Sequence, residues 1–174
     1  MKLLCFLLLL LTIPASAQKK RRSDKTSLPE RGSHIRRPDN ALFTGDWLWT
    51  ENGDSIRIFL RTETVYVKPL DMKLDVLLGY YRHTRGDSVV ADTYQYRHTP
   101  ETDHHYTFYL SASQGNLKGT VSRKNSPAHA RITCVADAWR QSFVVYLLPP
   151  EMYLATDGSL HEIIPNKLRF RRIG

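Results

Sequence analysis

The stretch "GDWLWTENGDSIRIFL" (residues 45–60) decides the fold. Trp47 and Trp49 stand two residues apart, Asn52-Gly53-Asp54 follows, and Ile56, Ile58 and Leu60 then alternate with Arg57, Phe59 and Arg61. Alternation of that kind puts apolar side chains on one face of a strand. Asn-Gly accepts the positive φ angles of a tight hairpin turn. The stretch therefore reads as two antiparallel strands, the first hairpin of an all-β domain.

The pattern continues down the chain. "TVYVK" (64–68), "LDVLLGYYRH" (74–83), "SVVADTYQY" (88–96) and "HYTFYLS" (105–111) come next, then "NLKGTVSR" (116–123), "ARITCVAD" (130–137), "SFVVYLL" (142–148) and "KLRFRRI" (167–173). All are rich in residues that suit a pleated, half-buried surface. Arg85-Gly86-Asp87, Gln114-Gly115-Asn116, Asn125-Ser126-Pro127 and Asp157-Gly158 supply the turns between them. Helical spacing shows only in a short piece at 149–158. Sequential strands with short connections predict an antiparallel up-and-down meander closing into a barrel, since closure removes exposed strand edges. A two-sheet β-sandwich is the alternative.

Upstream of the hairpin the composition changes. Lys2, an apolar run over 3–13 and Ala15-Ser16-Ala17 have the form of a secretory signal peptide, too short to span a bilayer. Residues 1–17 are accordingly expected to be removed and the protein exported, to the periplasm or beyond. Residues 18–38 carry eight Lys or Arg against two acids, a net +6, whereas the chain from Asp39 onward carries only +1 of the total +8. Few apolar residues and no period predict a basic disordered linker over 18–40, followed by a single domain over 41–174. Such a tail suits anionic surfaces; a nearly neutral domain behind a signal peptide gives no reason to expect specific nucleic-acid binding. No transmembrane segment is predicted.

Two strands break the alternation. "DVLLGYY" and "SFVVYLL" are apolar on both faces, which predicts either a lid, a dimer contact or a partner surface beside the core, or a central strand beneath a neighbouring loop.

The Gly45-x-Trp47 opening resembles that of lipocalin and calycin barrels, which set an arginine from a late strand on the indole. That resemblance implies closure of the barrel base by Gly45 and Trp47 with Arg169 or Arg171, which share one face of the last segment while Arg172 takes the other. Cation–π contact and hydrogen bonds there would contribute on the order of 1–2 kcal/mol. A closer resemblance is to small exported β-domain proteins of unknown function from Bacteroidota. It rests on Gly45-Asp46-Trp47-Leu48-Trp49, Asp75-Val76-Leu77-Leu78-Gly79-Tyr80 and Leu148-Pro149-Pro150-Glu151-Met152-Tyr153-Leu154, and it implies fold and compartment without an activity.

Chemistry is sparse. Adjacent His104 and His105 in "TDHHY" point to opposite faces of a strand, poor geometry for one metal unless the backbone turns. Asp71 and Asp75 are candidates for acid–base work but read more simply as solvated strand ends. Arg85-Gly86-Asp87 spells an adhesion tripeptide, yet it is also what a hairpin turn requires. Cys134, the one cysteine of the mature chain, alternates in phase with Ile132 and reads as a buried hydrophobe. Tyr80, Tyr81, Tyr94, Tyr96, Tyr106 and Tyr109 either line a barrel mouth or pack across strands.

No metal, cofactor or catalytic residue is assigned. The expected function is non-catalytic binding of a small apolar or amphipathic ligand inside the barrel. The alternative is an envelope interaction or structural module with a filled core, engaging a protein or an anionic surface through its apolar strands and basic tail.

Overall fold

Asn52 and Gly53 adopt φ of 50° and 85°, as a primed turn requires, and the hairpin they close pairs Trp47 with Ile58 and Trp49 with Ile56. The structure, a computed structural model, describes residues 29–122, 129–137, 139, 141–147 and 167–173. Ten strands form: β1 (His34–Ile35), β2 (Gly45–Glu51), β3 (Asp54–Val67), β4 (Met72–Arg85), β5 (Ser88–Asp92), β6 (Phe108–Ser113), β7 (Asn116–Ser122), β8 (His129–Ala136), β9 (Ser142–Leu147) and β10 (Leu168–Ile173).

Eight of them close into an antiparallel up-and-down barrel, in the order β2-β3-β4-β6-β7-β8-β9-β10 and back to β2. Opposite its full-length pairing with β3, strand β4 serves three partners in turn: Lys73 and Leu74 pair with β1, Leu77–Gly79 with β6 and Arg82–Arg85 with β5. Thr93 and Thr107 join the β5 and β6 regions. The Thr93 Oγ1 accepts from the Tyr81 N–H at 3.0 Å and lies 2.9 Å from the Thr107 Oγ1, and the Thr107 N–H donates to the Gly79 carbonyl at 2.7 Å. One closed cycle excludes the two-sheet sandwich.

Several boundaries differ from the sequence reading. "TVYVK" is no separate strand, because β3 runs on through residues 61–63 opposite an equally long β4. The chain past Asp92 leaves the sheet for short 3₁₀ turns at Tyr94–Tyr96 and Glu101–Asp103. The folded part also begins before residue 41, inside the expected linker. Pairing of β1 is parallel to β4, the Gly32 N–H donates to the Asp71 carbonyl, and Asn40 is fully buried in a 3₁₀ helix, Pro38–Phe43. Residues 1–28, which hold the expected signal peptide and most of the basic run, lie outside the described residues, as do the helical piece at 149–158 and the motif at 148–154. Among the described residues no helix is long and apolar enough to cross a membrane.

Packing divides into two cores. The barrel interior holds Ile56, Ile58 and Leu60 from β3, Leu77 and Tyr81 from β4, and their counterparts around the cycle. A satellite core lies on the outer face of β3 and β4, built from Val65, Val76, Leu78 and Tyr80 and covered by Tyr96, Tyr106 and Tyr109. The doubly apolar face of β4 is thus a strand beneath its own downstream connection. Burying Val76, Leu78 and Tyr80 this way is worth about 1.5–3 kcal/mol for each aliphatic side chain. Gly79 is the point where this strand has to be bare: a Cβ there would stand 2.7 Å from the Phe108 Cβ.

Candidate functional site

The antiparallel order sets a polarity. At one end lie the start of β2, the finish of β10 and the turns after β3, β6 and β8; at the other lie the turns after β2 and β4.

The first end is plugged by the 3₁₀ helix Pro38–Phe43. Phe43 and Trp47 are fully buried, and the Trp47 Nε1 donates to the Phe43 carbonyl at 2.9 Å. The Asn40 Oδ1 accepts from the Ala112 N–H at 2.9 Å, tying the plug to β6. Gly45 opens β2 at φ 108°, a conformation that L side chains rarely adopt.

The arginine over the indole is Arg172, with its guanidinium carbon 4.5 Å from the Trp47 ring. It also donates to the carbonyls of Thr44 and Leu42. Neither Arg169 nor Arg171 takes this role. Leu168 and Phe170 are buried in the barrel, so the inward parity of β10 leads to Arg172, and the odd-numbered arginines face out. The expected closure therefore forms with a different arginine.

The interior above the plug is packed with aromatic rings. Trp47 meets Phe143 with centroids 4.7 Å apart, and Phe143 stacks on Phe170 at 5.4 Å. Tyr81 and Phe108 meet edge to face at 6.1 Å. Cys134 is buried among these side chains, and burial pushes its thiol up to about 12, which keeps it protonated and unreactive at neutral pH.

Towards the opposite end, His83 takes the inward position on β4, opposite Ile56 on β3 and Ala91 on β5. It is 4 % exposed and its Nδ1 has no hydrogen-bond partner. Burial lowers its pKa, with Asp54 and Arg85 acting in opposite senses as smaller effects. A neutral imidazole can donate from one nitrogen and accept at the other. At this end Arg85-Gly86-Asp87 forms the β4–β5 turn, and the Arg85 Nε pairs with the Asp54 carboxylate at 3.3 Å.

The remaining candidates are dispersed. His104 sits at φ 51°, so the backbone does turn there; its ring meets Tyr106, while His105 stacks on Tyr96 at 4.0 Å. Among the described residues no three His, Cys, Asp or Glu side chains stand together as a metal site. Asp71 accepts from the Tyr66 hydroxyl at 2.7 Å. Asp75 accepts from the Thr64 Oγ1, lies 2.7 Å from the His34 Nε2, and is held below the usual carboxylate range chiefly by that histidine. The two carboxylates thus have separate partners.

Of the six tyrosines, Tyr81 alone belongs to the barrel core. Tyr80, Tyr96, Tyr106 and Tyr109 belong to the satellite core. Tyr94 lies between the guanidinium groups of Arg57 and Arg97, at 4.8 and 4.4 Å, and donates to the Asp46 Oδ1 at 2.6 Å. Arg61 reaches from β3 to the carbonyls of Arg97 and Thr99, which holds the covering segment against the barrel.

Residues 1–135 match the model of a family of unknown function, DUF6705. The chain belongs to this family. No curated protein matches it. The region matched to DUF6705 ends inside β8, so the plug, Trp47 and His83 fall within it and Arg172 falls outside.

Proposed function

We propose that this DUF6705 chain is an exported, non-catalytic interaction module that works through its outer surface. The observation that carries this reading is the aromatic packing of the interior: Phe43, Trp47, Tyr81, Phe108, Phe143 and Phe170 are all buried in one core. Side chains of that size occupy the space a ligand would need, since small-molecule sites span roughly 300–1,000 Å³. Export rests on the form of residues 1–17, and the absence of a catalytic role rests on the lack of any recognisable catalytic motif in the sequence.

Native mass spectrometry of the protein isolated from the host envelope, with lipid and metabolite extraction, tests this. The expected spectrum is a bare polypeptide. A stoichiometric small molecule would sink the reading.

One observation favours a second reading, in which the barrel holds a small apolar or amphipathic ligand. The buried, unpartnered His83 Nδ1 calls for a polar partner, and a ligand headgroup could provide it. On that reading, extraction returns a molecule with a hydroxyl, carbonyl or carboxyl group, and His83→Leu loses it.

A further inference from the structure

Strand β5 stands outside the closed cycle, yet it forms part of the barrel wall. On the side of β4 away from β3, pairing with β6 covers Leu77–Gly79 and pairing with β5 covers Arg82–Arg85. At the level of His83 the wall beside β4 is therefore β5. Among the described residues β5 pairs with β4 alone.

The strand is lightly held along its length. Val89 and Val90 are 49 % and 51 % exposed, so docking removes little apolar surface from water. The β4–β5 register shifts between His83 and Thr84, a local break in the ladder. The Arg82–Asp92 ion pair spans 3.9 Å between partly exposed side chains and adds little. Its two ends are firmer. The Thr93 N–H donates to the Tyr81 carbonyl at 2.8 Å, and the Gly86 N–H donates to the Gly53 carbonyl at 3.0 Å. Ser88–Asp92 is thus a short strand slung between two anchors.

His83 sits against it. Paired positions form one row across four strands, Trp49, Ile56, His83 and Ala91. The His83 ring is buried and its enclosed Nδ1 has no partner. An imidazolium carries N–H on both nitrogens, so protonation sets a charge and a donor where no acceptor stands. The charged groups nearby give no relief. Asp54, from β3, is paired with Arg85 of β4, and the two act on the ring in opposite senses. Asp92 of β5 faces Arg82, whose place on β4 alternates away from His83. Glu51 at the end of β2 and Asp87 in the β4–β5 turn are exposed. The cheapest way to bring water to His83 is local opening where the fewest contacts are lost, which is at β5.

We propose that β5 is an acid-released flap: a proton taken up by His83 frees Ser88–Asp92 from β4 and opens the wall at the end opposite the plug, while the eight-strand cycle stays closed. The gap lies beside Ala91 and admits water to the row that holds Ile56 and half-buried Trp49. The flap does not rest on the surface-acting reading, because it operates whatever the outer surface engages.

Hydrogen exchange of the chain from Gln18 onward, which keeps every described residue, tests the flap. Exchange is read as protection relative to the intrinsic rate at each pH. Between pH 7.5 and 5.0, protection of the β4–β5 ladder amides should fall about tenfold or more, since the open form takes up a proton that the closed form resists. Protection in β7 and β8 should stay unchanged. His83→Leu should keep the ladder protected at both pH values. A disulfide between Thr84→Cys and Val89→Cys, which are register partners, should hold the flap shut and suppress the loss until it is reduced. By the same linkage the staple should lower the pKa of the His83 ring, read by NMR titration.

Ladder protection that does not change with pH would overturn the proposal. So would a loss shared equally by β7 and β8, because acid would then unfold the barrel as a whole. A loss that persists in His83→Leu would overturn the role of His83 and move the trigger to the Asp54–Arg85 or Asp92–Arg82 pair. Should His83→Leu fail to fold, the stapled chain decides: a ring pKa that the staple leaves unmoved would overturn the flap.

Discussion

The barrel interior and the satellite core outside β4 are both apolar, but they are held together differently. In the interior, neighbouring strands bring their inward side chains together through ladder pairing, and the contacts are aliphatic and aromatic. Among the described residues the satellite core has no second sheet above it. Its cover is the connection from β5 to β6, held by cations: Arg61 on the carbonyls of Arg97 and Thr99, and Tyr94 between Arg57 and Arg97. The difference teaches that one strand can be doubly buried without a partner protein, if its own downstream loop folds back and polar anchors hold that loop.

The contrast can be broken most forcefully from inside. Trp47→Ala should cost about 3–5 kcal/mol, the range for removing a large buried ring, read as a lower denaturation midpoint with an unchanged slope. Arg61→Ala should cost less, about 1.5–3 kcal/mol, because it removes charged hydrogen bonds from a side chain that is 18 % exposed. Its signature should be local. Amide exchange over residues 94–107 should accelerate while β7 and β8 keep their protection; uniform acceleration would show that the two cores form one cooperative unit.

A smaller effect separates the arginines of β10. Arg172→Ala should lose about 1–2 kcal/mol of cation–π and hydrogen-bond stabilisation. Arg171→Ala should stay within about 0.5 kcal/mol. Equal losses would contradict the assignment of the inward parity.

The smallest effect is expected from His83. Its folded pKa lies below 6.5 because of burial, so as pH falls below 6.5 the unfolded chain takes up a proton that the folded chain resists. Stability should therefore fall with acidification in that window. His83→Leu should flatten the curve there; an unchanged slope would show that His83 is already solvated.

Much of this architecture is legible in the chain. Period-two alternation and turn residues specify the meander, and Asn52-Gly53 marks the first hairpin. The inward arginine was legible too, since Leu168 and Phe170 share a parity with Arg172, although the sequence reading chose the opposite face. Other features leave no local signal. No apolar alternation in residues 29–37 marks β1, where Ile35 stands alone among polar residues, and its place depends on distant partners such as Asp75 and the β4 backbone. The continuation of β3 through residues 61–63 likewise depends on a partner strand of equal length. His83 reads as an ordinary strand residue until the neighbours around it are known, because burial without a partner is a tertiary property.

The contact between β10 and β2 also has a kinetic consequence. Most pairings in the cycle join strands that follow one another, but this seam brings Arg172 to Thr44 across 128 residues and rests on three residue pairs. Closing so long a loop costs the most chain entropy, so the seam should be the last part of the cycle to zip. Arg172 and Trp47 then form a clasp that is absent from the folding transition state. Loosening it should leave the refolding rate nearly unchanged and accelerate unfolding, so the lifetime of the closed barrel would be set by a residue that folding hardly needs.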